Sequence, residues 1–126
     1  MEYVNKFAQE FNVPIDGTDR PMPSATCNSI TIINFGMGSA NAATVMDLLS
    51  AKNPQACLFL GKCGGLKRKN KLGDLILPIA AIRGDGTSDD YMPAEVPALP
   101  GFSLQKAVST TIRDHGKDYW TGTVYS

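Results

Sequence analysis

Two glycine-rich segments concentrate the chemistry that this chain can offer. The first is Gly36-Met37-Gly38-Ser39-Ala40-Asn41 and the second is Gly61-Lys62-Cys63-Gly64-Gly65. Glycines let a backbone approach a ligand closely, and the unpaired N–H groups at a helix start favour anions. The first segment fits such an anion cradle and fits equally well a tight strand-to-helix turn with no ligand. The second packs three glycines into five positions around a cation, Lys62, whose ordinary role would be a solvated side chain. Cys63 reads as a buried structural thiol rather than a nucleophile, because Lys62 alone is near enough in sequence to lower its pKa.

Sharper chemistries fit less well. A dinucleotide fingerprint needs G-x-G-x-x-G and an acid at the end of the following strand. Here Asn41 replaces the third glycine, and the next apolar run ends in Leu60-Gly61-Lys62 without an acid. The lysine of a P-loop is also missing. The single histidine, His115, sits in a polar helix end beside Gly116, a poor place for the base of a catalytic triad. Cys27, Cys57 and Cys63 form no C-x-x-C pair, which disfavours a zinc site and a disulfide framework and suits a reduced, cytoplasmic chain. No metal or cofactor is expected. Twelve basic residues balance twelve acidic ones in 126, so the charge excess of a duplex nucleic-acid binder is absent. No apolar run approaches the roughly 18 residues of a membrane span, and Met1 to Lys6 lacks a signal-peptide pattern.

The elements that must carry these segments follow from periodicity. Tyr3, Val4, Phe7, Ala8 and Phe11 have helical spacing. Met22 to Cys27 is a candidate strand weakened by Pro23, and Asn28-Ser29 a turn. Ser29 to Phe35 is β-branched, as a central strand should be, and leads into a helix over Asn41 to Ala51 with Ser39 as its N-cap. That helix is apolar over most of its surface and should be buried against a sheet. Ala56 to Leu60 reads as a second buried strand, and Leu75 to Ile82 as a third with Pro78 marking a bulge or edge. The basic run Lys67 to Lys71 suits a solvated tip. A long irregular stretch, Gly84 to Gly101, precedes an amphipathic helix over Phe102 to Asp114. Thr121 to Ser126 resembles a strand that has only begun. Apolar strands alternating with helices predict an α/β chain with ligands at the carboxyl ends of its strands, where both glycine segments would sit.

Taken together, Phe35 to Ala43, Leu60 to Leu66, Leu72 to Ile76, Ile79 to Gly84 and Asp118 to Tyr125 resemble the nucleoside phosphorylase superfamily in order and spacing, and within it the short bacterial AMP nucleosidase branch. The resemblance implies a three-layer α/β/α fold with a mixed central β-sheet, truncated at the C-terminus. Residues 1–126 would then be the N-terminal portion of one phosphorylase-like domain, with 1–20 a leading helix and linker. It implies hydrolysis of AMP to adenine and ribose 5-phosphate by a cytoplasmic homo-oligomer, hexameric at full length. The alternatives are a non-catalytic purine-nucleotide binding or assembly module of the same fold, and a purine nucleoside phosphorylase.

By the same resemblance, Gly36, Met37, Gly38 and Ser39 match the phosphate-side loop, and Lys62, Cys63 and Gly64 match the loop lining sugar and base. Lys62 and Arg83 are the candidate cations for the 5′-phosphate. An arginine that grips the co-substrate phosphate in phosphorylases is replaced by Phe59, and the serine after the second loop's first glycine by Lys62. Losing a bidentate clamp favours water over phosphate as the nucleophile. The family's ribose-binding Met-Glu pair and its purine-protonating Asp match nothing in residues 1–126, so the general acid is expected beyond Ser126 and the chain as given is expected to have little activity.

Overall fold

The computed structural model describes residues 1–126, which divide into two compact units, Met1–Asn53 and Pro54–Ser126. No helix is long and apolar enough to cross a membrane.

The first unit is a helix laid on a hairpin. Helix α1 (Glu2–Phe11) places Val4 and Ala8 on one face, one turn apart, and both are buried. Asn12 ends the helix in the left-handed region at φ 50°, and the Val13 N–H returns to the Ala8 carbonyl at 3.0 Å. That closure drops Val13 beside the core. Strands β1 (Ser24–Cys27) and β2 (Ile30–Ile33) pair antiparallel across the two-residue turn Asn28-Ser29, with Asn28 at φ 54°. Ala25 of β1 is fully buried against Val4 and Ala8, with Phe7, Ile15 and Ile32 packed around them. Residues 1–20, expected as a leading helix and linker, therefore supply much of this unit's core.

Helix α2 (Ser39–Ser50) starts after Gly38, which holds the N-cap position expected for Ser39. Its burial is slight. Val45 alone is buried, whereas Met46 and Leu48 are exposed, so the expected burial against a sheet does not occur. Nor is β2 a central strand. It has one partner, β1; Ile30 and Thr31 are exposed and Ile32 and Ile33 half-buried.

The second unit is a broken parallel ladder with a helical crossover. Strand β3 (Leu75–Ile76) pairs with β5 (Tyr119–Trp120), and β4 (Ala80–Ile82) with β6 (Thr123–Tyr125), both parallel. The Leu77 N–H to Trp120 O and Ile79 N–H to Gly122 O bonds bridge the gap between the two pairs. One predicted strand, Leu75 to Ile82, is thus two. The break falls at Pro78, which has no N–H to give. Helix α3 (Phe102–Asp114) forms over the predicted residues and repairs that break, since Gln105 Nε2 donates to the Pro78 carbonyl at 3.0 Å. Ser109 Oγ and Tyr119 Oη lie 2.7 Å apart, tying the helix to β5.

Ala56 to Leu60 is not a strand. Leu58, Phe59 and Leu60 are all more than half exposed, because no neighbouring strand pairs with this segment. A β-branched or apolar run becomes a strand only when a neighbour supplies the ladder.

Candidate functional site

The first glycine segment has the shape that its composition predicted. Gly36 and Gly38 both take positive φ, 84° and 94°, which a side chain would strain. Asn34 Oδ1 accepts the Gly36 N–H at 3.2 Å, and Asn41 Nδ2 donates to the Met37 carbonyl at 3.0 Å. Two asparagines, one on each side, therefore brace the turn from strand to helix. Met37 stands 89% exposed at its tip. The first intrahelical bond runs from Ala42 N–H to Gly38 O, so the N–H groups of Ser39, Ala40 and Asn41 precede the ladder.

Beside this turn lies an open concavity of about 390 Å³, lined in part by Asn34, Gly36 and Asn41. Thr18 and Arg20 line the same space. Arg20 was not among the sequence candidates. No motif marks it, and it reaches the glycine turn through the bend at residues 17–23, which Gly17 initiates at φ 70°. The concavity thus brings together Arg20, Asn34 and Asn41 beside the glycine turn. That set suits an oxyanion. The glycine turn follows the carboxyl end of β2, as expected, although β2 belongs to an antiparallel hairpin.

The second glycine segment has a different character. None of Gly61, Gly64 and Gly65 takes positive φ, and Gly61 and Gly64 have open space where a Cβ would stand. Gly65 is the exception, because an added Cβ would lie 2.9 Å from the Asn70 side chain. Asn70 closes the turn below by accepting the Lys67 N–H at 3.1 Å. Lys62 and Cys63 are exposed. Cys63 is therefore no buried structural thiol.

The basic tip is better anchored than a solvated run. Lys69 Nζ lies 4.5 Å from the centre of the Trp120 ring, and Trp120 Nε1 donates to Asp74 Oδ2 at 2.7 Å. The same oxygen accepts the Lys71 N–H at 2.9 Å. These two bonds, the backbone one foremost, hold the Asp74 carboxyl below its ordinary value. His115 bonds the Thr111 carbonyl of its own helix at 2.8 Å and has no part in a triad.

Arg83 has the most complete set of partners in the chain. Nε donates to Ser88 Oγ at 2.9 Å, and Nη1 donates to the Pro93 and Val96 carbonyls at 2.7 and 2.8 Å. Nη2 serves Met92 O, Asp89 Oδ1 and Ser88 O at 2.7, 2.8 and 3.2 Å. A guanidinium has five N–H donors, and all are taken. Its side chain is 11% exposed. Arg83 was expected to meet a substrate phosphate; here its own loop occupies every donor.

The family model described as phosphorylase superfamily matches residues 8–126. The crystal structure of AMP nucleosidase from Bacteroides thetaiotaomicron superposes with a TM-score of 0.96 at 62% identity, covering 99% of this chain and 55% of that one. AMP nucleosidase from Escherichia coli is 34% identical over 85 residues, which are 68% of this chain and 18% of the relative. Purine nucleoside phosphorylase from Toxoplasma gondii, solved with immucillin-H, shares the fold at a TM-score of 0.89 and 21% identity, covering 99% of this chain and 53% of that one. The chain spans about half the length of these solved structures and less of the curated relative. Its backbone follows the nucleoside phosphorylase fold, and by the match over residues 8–126 the chain belongs to the phosphorylase superfamily.

Proposed function

We propose that this chain forms the ligand-cradling N-terminal portion of an AMP nucleosidase-type N-glycosidase. The observation that carries the reading is the 62% identity to the Bacteroides AMP nucleosidase across 99% of the chain. In the reaction, the bond between the ribose C1′ and the adenine nitrogen breaks and its electron pair leaves with the base. Water supplies the oxygen that joins C1′ and gives up a proton. Adenine must be protonated as it leaves, and the sugar must be stabilised as an oxocarbenium-like species. The general acid for that step is assigned outside residues 1–126.

In this reading the first glycine turn, Gly36 to Ser39, is one ligand-binding element for the ribotide, and the second segment, Lys62 to Gly64, is another. The start of α2, with Arg20 lining the concavity beside the turn, is a candidate anion site in the first unit, and Lys62 is a candidate phosphate cation in the second. The two parallel pairs of the second unit belong to a mixed central sheet between helical layers. The working protein is a cytoplasmic homo-oligomer.

The test is adenine release from AMP, followed chromatographically with and without inorganic phosphate. Adenine and ribose 5-phosphate formed without phosphate support the nucleosidase. A ribose 1,5-bisphosphate product that appears only with phosphate makes it a phosphorylase instead. AMP binding without turnover in the 126-residue chain, and turnover in the longer homologous protein, is the outcome expected from the placement of the general acid.

A further inference from the structure

The stretch from Arg83 to Pro97 is a closed loop rather than an irregular one. At its base Ala81 and Ala98 form an antiparallel bridge, with the Ala81 N–H donating to the Ala98 carbonyl at 2.9 Å. Its first residues are tied to the end of β6. Ser126 Oγ donates to Asp85 Oδ2 at 2.8 Å, and the Ser126 N–H donates to Ile82 O at 3.2 Å. A single 3₁₀ turn, Thr87–Asp90, follows Gly86, which takes φ 82°. Compact loops of roughly 6–16 residues with neighbouring ends, filled by their own side chains, are frequently functional. Here the filling is one residue, Arg83, and four of its six acceptors are main-chain carbonyls.

The loop leaves the carboxyl end of β4, where β4 and β6 run parallel, and ligands of parallel sheets lie at that edge. It carries Asp85, Asp89, Asp90 and Glu95, and its sole cation is the enclosed Arg83. Such a loop repels a phosphate and suits the hydroxyls and amine of a neutral nucleoside.

We propose that Arg83 is a positioning residue that fixes the 83–97 loop as a preformed wall for the sugar and base of the ribotide. This rests on the purine-ribotide reading above. The planar fork matters more than the charge, because carbonyls converging from Ser88, Met92, Pro93 and Val96 need five donors in fixed directions. Lysine offers three donors from one point.

The experiment compares wild type, Arg83→Lys and Arg83→Gln by hydrogen exchange and by calorimetric titration with AMP and with adenosine. Both variants should raise exchange in residues 87–96 by about tenfold or more, with the β4–β6 ladder unchanged as the control for folding. Both should weaken AMP and adenosine by the same factor, on the order of tenfold. Rescue by Arg83→Lys would show that charge suffices and overturn the proposal. A loss confined to AMP would make Arg83 a direct phosphate ligand and overturn it equally, as would a loosened loop with unaltered affinities. Failure of wild type to bind either ligand would sink the ribotide reading, while exchange in residues 87–96 would still decide whether Arg83 fixes the loop.

Discussion

Asp74 is the residue whose ionisation the chain reports most directly. Its carboxylate accepts from the Lys71 amide and from the ring nitrogen of Trp120, the chain's one tryptophan. The folded-state pKa is depressed, so the stabilisation is present above the unfolded value of about 3.9 and is lost as pH falls through the lower folded value. Trp120 fluorescence should therefore titrate in acid with a midpoint below that of a free aspartate. Asp74→Asn, which keeps an acceptor but no charge, should abolish the step. An unchanged titration in the variant would assign it to another carboxylate.

The cations of the site differ in the same concrete way. Lys62→Ala should weaken AMP by roughly tenfold or more while leaving adenosine nearly unchanged, since a hydrogen bond to a charged group contributes about 1.5–3 kcal/mol. Arg20→Ala should show the same selectivity, because the guanidinium shares its concavity with the glycine turn. Equal losses for both ligands in either variant would remove that side chain from the phosphate.

The glycine turn before α2 has two positions that glycine alone fills without strain. Gly38, at φ 94° and ψ 157°, lies where a Cβ costs on the order of 1–3 kcal/mol. Gly38→Ala should raise amide exchange over residues 36–41 and lower AMP affinity, with the α1 core undisturbed. An unaltered turn would mean that its shape is not what the ligand reads. In the second segment Gly65→Ala would press on Asn70, which closes the Lys67–Asn70 turn. The helices and the first glycine turn were readable from periodicity and composition, because their determinants lie within a few residues. Helix α3 needs only Leu104 and Val108 at helical spacing. Ala56–Leu60 was misread because a strand is a property of two segments, and the sequence names only one. The enclosure of Arg83 was not legible for a related reason. The carbonyls that claim its donors carry no side-chain signature.

The chain as a whole exposes 10027 Å². A compact monomer of 13.5 kDa exposes about 6,500 Å², and two separate compact domains of these lengths about 7,800 Å² together. Buried hydrophobic residues number four, Val4, Ala8, Ala25 and Val45, while Leu58, Phe59, Leu60, Leu66 and Leu72 stand in solvent. So little burial offsets the conformational entropy of folding poorly. The isolated chain should bind the dye ANS and unfold over a broad denaturant range with a shallow slope. A sharp two-state transition without dye binding would show that the exposed face is covered in solution.

What was fixed along the chain is local: where helices begin, where glycine must bend the backbone, and which family's order of motifs the residues follow. These depend on neighbours a few positions apart, whose energetics the linear order already contains. What awaited the folded coordinates is convergence. Arg20 lines one concavity with the glycine turn, Trp120 meets Asp74 across 46 residues, and Arg83 draws a loop around itself. Contacts of that kind form when backbone groups without sequence identity are brought within hydrogen-bonding range, and only a folded chain can do that.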